Sequence, residues 1–320
     1  MDILIAGGAG FIGSHLTDRL LSEGHKVTVI DNLCSGLMKN IEHHLINPSF
    51  TFHRIDIRNK KHLNEITYFK TFDRIYNLAC PASPVHYQRI PIETMLTCVQ
   101  GTYNLLNLAS DHKARFLQAS TSEVYGDPEV HPQPEGYYGN VNSYGPRACY
   151  DEGKRAAEAL IYDVKNLRKL DTRIVRIFNT YGPRMAVDDG RVVSNFIVQT
   201  LKGEAITMYG DGSQTRSFCY VDDLVEGLIK VMEGDYSDPV NLGNPNEFTM
   251  KELAREILAA CKKSDGFMKY LPLPENDPRQ RQPDIRLAKK LYDWEPKIQL
   301  NQGLKLTVDY FDLLLRKHKV

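Results

Sequence analysis

The chain has 320 residues, enough for one large α/β domain or a large domain with a smaller companion. Its 40 Lys+Arg balance 40 Asp+Glu, so no overall basic surface points to nucleic acid, and an anionic ligand needs a local patch of cations. Six scattered cysteines without a Cys-x-x-Cys pair argue against structural zinc and a disulfide framework, and read as free thiols in a reducing compartment.

The apolar run at 3–6 meets glycines at once and is too short for the core of a signal peptide. No stretch is long and apolar enough to span a bilayer, so a soluble, cytoplasmic protein without membrane or nucleic-acid partners is expected. Short β-type runs follow at 3–6, 27–30, 50–55, 74–79, 115–120 and 172–178, several almost continuously apolar. Helix candidates lie between them at 11–23, 91–110 and 146–168. This alternation predicts an α/β fold with a Rossmann-type doubly wound parallel sheet over 1–178. After Asn179 the texture changes to short segments broken by Pro and Gly. Residues 179–320 are expected to form a smaller substrate-binding region on the sheet's carboxyl edge, with segments near 219–243 returning to the first domain.

Gly7, Gly10 and Gly13 are spaced G-x-x-G-x-x-G between the first strand and first helix. Glycines there allow a tight turn and the close approach of a pyrophosphate to a helix N-terminus, where Phe11 and Ile12 begin the helix. A glycine triplet by itself is also compatible with a plain strand–helix turn. Asp31 closes the second strand, where a carboxylate accepts hydrogen bonds from an adenosine ribose and repels a 2′-phosphate. NAD is therefore expected rather than NADP, with Asn32 beside the ribose and Asp56, Ile57 and Leu78 around the adenine and the cleft wall. Asp56 equally suits a loop cap.

Tyr150 and Lys154 stand four apart on a predicted helix and share a face, the only such pair among the 17 tyrosines. A surface pair, or a core tyrosine beside a snorkelling lysine, gives the same spacing. As a catalytic pair, the ammonium lowers the phenol pKa from about 10 so that phenolate accepts an alcohol proton. Thr121 or Ser122, at the end of the fifth strand, would hold the same hydroxyl, and Glu123 places an acid beside them.

GGAGFIGSH, the Tyr-x-x-x-Lys pair, FNTYGPR (178–184) and TRSFCYVDD (215–223) resemble the extended short-chain dehydrogenases, the NAD-dependent epimerase/dehydratase family of nucleotide-sugar enzymes. The resemblance runs to LYDWEPKIQL (291–300). NLACPASP, STSEVYGDPEVHPQ, GPRACYDEGKR and GPRMAVDDGRVVSNFI are most similar to its UDP-glucuronic acid decarboxylase (UDP-xylose synthase) branch. Related 4,6-dehydratases carry adjacent Asp and Glu where this chain has Ser122 and Glu123, and simple 4-epimerases generally have neither acid.

The resemblance implies a carbon–carbon lyase using bound NAD. Tyr150 takes the proton of the sugar 4-hydroxyl, the 4-ketone loses its neighbouring carboxylate as carbon dioxide, and reduction gives UDP-xylose. Glu123 would orient the ring or a water, or help protonate C5, its charge favouring loss of the carboxylate. Release of the 4-keto pentose with NADH, a UDP-sugar 4-epimerase, an NDP-glucose 4,6-dehydratase and an idle nucleotide binder remain open alternatives. The family places Arg216 and Arg281 on the pyrophosphate, Arg281 also near the substrate carboxylate, with Asn179, Arg191 and Tyr209 toward phosphate, uridine ribose and base. Glu275, Arg279 and Asp284 are expected in a solvated loop. Thr97-Cys98 departs from the family's usual Thr-Asn. A homodimer through the helices at 91–110 and 146–168 is implied.

Overall fold

The structure, a computed structural model, describes residues 1–67, 70–263, 268–273 and 280–317. Six strands arise where the apolar runs lie: β1 (Asp2–Ala6), β2 (Lys26–Asp31), β3 (Phe50–Arg54), β4 (Arg74–Asn77), β5 (Arg115–Thr121) and β6 (Thr172–Ile177). A seventh, Pro239–Leu242, pairs with β6, and every pairing in the sheet is parallel. The order is Pro239–Leu242, β6, β5, β4, β1, β2, β3, so the chain winds one way from β1 to β3 and the other way from β4 onward. Ligands of open α/β sheets bind at the carboxyl ends beside this reversal, between β1 and β4.

Alternation along β1 shows why these strands read as apolar throughout. Ile3 and Ile5 face one core, and Leu4 and Ala6 face the other. The first core packs under helices Phe11–Ser22 and Val221–Glu233, and the second under Thr102–His112 and Ala148–Arg168. Each fully buried Ile or Leu contributes about 1.5–3 kcal/mol by leaving water.

The helix expected over 91–110 runs from Pro91 to His112 but carries one wide turn, a π-helical segment at Thr97–Gly101. Such single turns insert an extra residue per turn and re-aim side chains. After β6 the chain forms three short strand pairs, Thr180–Tyr181 with Cys219–Tyr220, Thr215–Ser217 with Glu247–Thr249, and Ile206–Tyr209 with Met268–Leu271. Among the described residues, no helix is long and apolar enough to cross a membrane.

Candidate active site

The glycine turn opens the site. Gly7 has φ +80°, and a Cβ there would lie 2.8 Å from the backbone of Leu78 and Ala79, so neither conformation nor space admits another residue. Gly10 is the N-cap of helix Phe11–Ser22, in extended backbone with no capping side chain. The amides of the first turn, at Phe11 and Ile12, are therefore covered by no side-chain cap, as an anion site requires. Gly13 faces inward and packs on the Gly7 carbonyl.

Asp31 is buried, and its carboxylate accepts from the Leu33 amide at 2.8 Å and the Ala9 amide at 3.1 Å. Burial pushes its pKa up, and these two amides pull it back. Asn32 donates to Asp56 at 3.1 Å, and Arg58 grips the same carboxylate at 2.6 Å, holding Asp56 below the usual carboxylate range. Gly7, Gly10, Asp31, Asn32, Asp56, Ile57 and Leu78 line one cleft, joined by Cys34, Ser35, Cys80 and Pro81. An uncapped helix start, glycines a Cβ would obstruct, and an acid at the end of β2 fit a dinucleotide whose ribose is a free diol.

Tyr150 and Lys154 project from helix Ala148–Arg168 and are both buried. The lysine Nζ lies 5.7 Å from the phenol ring centre and donates to the Ala119 carbonyl at 2.8 Å. Burial drives the phenol pKa well above 10, the sulfurs of Cys80 and Cys98 add to the rise, and the hydrogen bond with Thr121 works against it. Burial thus outweighs the lowering expected from Lys154. Tyr87 stacks on Tyr150 at 5.0 Å with planes 4° apart, and its buried hydroxyl has no partner among the described residues.

Glu123 lies in the turn Ser122–Tyr125 after β5, its amide capped by the Thr121 hydroxyl at 3.2 Å, with Ser122 buried beside it. Its carboxylate is held by two arginines. Arg147, at the N-cap of the Tyr150 helix, donates at 2.6 Å. Arg281 donates through both terminal nitrogens, one at 3.1 Å, and also to the Gly126 carbonyl at 3.3 Å. Burial opposes ionisation of Glu123, yet the two guanidinium groups win and bring its pKa to about 2. Arg281, expected on the pyrophosphate and near the substrate carboxylate, is 3% exposed and paired with Glu123. Held near 2, Glu123 is a carboxylate in the folded protein.

Sequence reasoning missed Arg147, Asp151 and Tyr87. Asp151, buried beside Glu123, has its pKa raised to about 7 by burial first and by the Glu123 charge second, and one carboxylate oxygen has no partner among the described residues. Arg147 and Asp151 flank Tyr150 within the quoted GPRACYDEGKR, so their place was visible, but not the carboxylate they meet.

The remaining candidates lie around the carboxyl edge. Arg191 pairs with Asp189 at 2.7 Å, sits 5.7 Å over the Phe11 ring and feels the Tyr150 phenol electrostatically. Arg216 is buried on Thr215–Ser217 and donates to the Thr215 carbonyl at 2.8 Å. Asn179 follows β6 and accepts the Cys219 amide on its carbonyl at 2.9 Å. Tyr209, at the end of Ile206–Tyr209, is 41% exposed. Asp284 is not in a solvated loop: it is buried, and Arg286 binds it at 2.6 Å. Glu275 and Arg279 lie outside the described residues.

A profile of the family described as GDP-mannose 4,6 dehydratase matches residues 4–307. UDP-glucuronic acid decarboxylase 1 of Danio rerio is 52% identical over 309 residues, covering 97% of this chain and 72% of the relative. UDP-glucose 4-epimerase of Thermotoga maritima, solved with UDP-glucose, superposes with a TM-score of 0.91 at 31% identity, covering 98% of this chain and 100% of the other. UDP-glucuronic acid 4-epimerase of Bacillus cereus, solved with UDP-glucuronic acid and NAD, gives 0.87 at 27%, with the same coverage of both chains. Sequence and fold agree: the chain belongs to the GDP-mannose 4,6 dehydratase family of extended short-chain dehydrogenases, on its UDP-glucuronic acid decarboxylase branch.

Proposed function

We propose that this protein is an NAD-dependent decarboxylase that converts UDP-glucuronic acid to UDP-xylose and ends each cycle with its cofactor as NAD. The observation that carries the reading is Glu123, tied to Arg147 and Arg281 beside the Tyr150 helix, in a chain 52% identical to such decarboxylases. Arg147 and Arg281 bring two guanidinium groups next to the chemistry, suited to a substrate carboxylate.

NAD would supply the hydride acceptor for C4 and the donor for the closing reduction. Gly7, Gly10, Phe11, Ile12 and Gly13 would hold its pyrophosphate, and Asp31 its ribose. Tyr150 takes the proton of the 4-hydroxyl, and Thr121 and Ser122 hold the oxygen in place. The 4-ketone so formed is β to the carboxylate on C5. That carbon–carbon bond breaks, carbon dioxide leaves, and its electron pair passes into an enolate, which is protonated at C5 before the ketone is reduced. Glu123 is a positioning residue that aims Arg147 and Arg281. Arg216, Arg191, Asn179 and Tyr209 are assigned to the UDP moiety.

We read residues 1–178 as the cofactor domain, with 219–243 returning to it, and 179–320 as the main nucleotide-sugar region. Exposed Ile92, Leu96, Tyr162 and Leu167 on the helices at 91–112 and 148–168 support a homodimer joined by these helices. Six free cysteines suit a reducing, cytoplasmic setting.

The test is incubation with UDP-glucuronic acid and NAD, following carbon dioxide, NADH absorbance and the sugar by NMR. Carbon dioxide and UDP-xylose without lasting NADH are expected. Stoichiometric NADH would shift the reading to release of the 4-keto pentose, and no carbon dioxide would overturn it.

A further inference from the structure

Cys98 lies in the π-helical turn Thr97–Gly101, with its sulfur 3.2 Å from that of Cys80. The two residues hold different positions. Cys98 is buried against the catalytic helix, where a Cβ added at Gly153 would lie 3.0 Å from its Cβ and 3.3 Å from its sulfur. Cys80 lines the cleft of the glycine turn and Asp31. Burial and the contact with Cys98 push the Cys80 thiol well up, whereas the same contact, with the Lys154 ammonium, favours thiolate at Cys98 against its burial; Lys154 acts electrostatically on both sulfurs. A half-buried sulfur on the cleft wall, a second sulfur in contact and a nearby cation are the features of an oxidisable dithiol.

We propose that Cys80 and Cys98 form a reversible disulfide across the wall of the cofactor cleft, made by peroxide-class oxidants, and that it opposes dinucleotide binding. With its proton passed to Cys98 across the 3.2 Å contact, the Cys80 sulfur attacks the peroxide O–O bond, giving a sulfenic acid, and the departing oxygen takes up the proton the pair had released, leaving as an alcohol, or as water from hydrogen peroxide. Cys98 then attacks the Cys80 sulfur, the S–S bond forms, and hydroxide leaves with the Cys98 proton as water. Two thiols lose two electrons and two protons, and the peroxide takes them up. Closing the bond draws the sulfurs from 3.2 Å to about 2.05 Å, pulling the cleft wall toward the Tyr150 helix. A dinucleotide lying in the cleft that Cys80 lines covers that residue from the oxidant and slows the oxidation. The coupling rests on the cleft being the NAD site, whereas disulfide formation does not.

The experiment is peroxide treatment of the reduced protein with and without NAD, alkylation without reductant, peptide mapping, and NAD titration before and after dithiothreitol. Expected are an 80–98 linked peptide, slower formation with NAD present, and NAD affinity weakened roughly tenfold in the linked protein and restored by dithiothreitol. Cys98→Asn and Cys98→Ser should keep their NAD affinity through the same treatment. No 80–98 link under conditions that oxidise exposed Cys34 would overturn the site, and a link that leaves the NAD titration unchanged would overturn the coupling. If the reduced protein binds no NAD, the functional reading above fails, while the peptide map still decides the disulfide.

Discussion

The glycine turn and the arginine clamp border the same site but are specified at different ranges. The turn from Gly7 to Gly13 occupies seven consecutive residues, and its demands are backbone ones: a positive φ, a Cβ that has no room, an uncapped helix start. The clamp joins Glu123 to Arg147 across 24 positions and to Arg281 across 158. Its demands are electrostatic and are met only when the chain has folded. One half of the site is written as a motif, and the other is an outcome of tertiary packing.

The largest effect is expected where the two halves meet. Tyr150→Phe keeps the turn and the clamp but removes the proton acceptor, and it should cut carbon dioxide release by about 10²–10⁴-fold. NAD titration of this variant should be little changed. A comparable loss in both readouts would mean that Tyr150 holds the cleft together rather than serving the reaction.

The clamp should then cost more to break than the turn's acid. Glu123→Gln leaves two buried guanidinium groups facing a neutral amide, and the urea midpoint should report a loss of about 3–5 kcal/mol. Asp31→Asn keeps an oxygen to accept one backbone amide, so about 1–3 kcal/mol is expected, with NAD affinity falling more than stability. A smaller loss for Glu123→Gln than for Asp31→Asn would reverse the comparison. The Glu123 contribution also carries a pH signature. Its folded pKa of about 2 lies below the usual 4.5, so its stabilisation is complete above 4.5 and is lost as pH falls through about 2.

The same contrast explains what could be read beforehand. The six strand runs and the Tyr150 helix were legible because a buried parallel strand is apolar on both faces, a property of consecutive residues. The π-turn at Thr97–Gly101 was not, since one extra residue per turn leaves the apolar pattern of a helix almost unchanged. Family resemblance singled out Arg281 but gave it the pyrophosphate. Its pairing with Glu123 depends on how the segment after 280 folds back across β5. Arg147 and Asp151 lay in plain view beside Tyr150, yet no local rule says that a carboxylate from another strand end will face them.

The smallest expected effect tests whether the clamp is balanced or overloaded with acid. Asp151 has a folded pKa of about 7 against an ordinary 3.8, so the folded protein holds a proton there that the unfolded chain releases. Stability should therefore fall as pH rises from 3.8 toward 7 and level off above it, opposite in sign to the Glu123 contribution. Asp151→Asn removes this titration. The variant should gain over the parent at both pH values, and more at pH 8 than at pH 5 by on the order of 2 kcal/mol, because the parent's folded Asp151 keeps until about pH 7 a proton that its unfolded chain has already released at pH 5. Urea titrations of both proteins at the two pH values decide it. An equal difference at both would mean that Asp151 stays ionised throughout, with Arg147 and Arg281 carrying two acids rather than one.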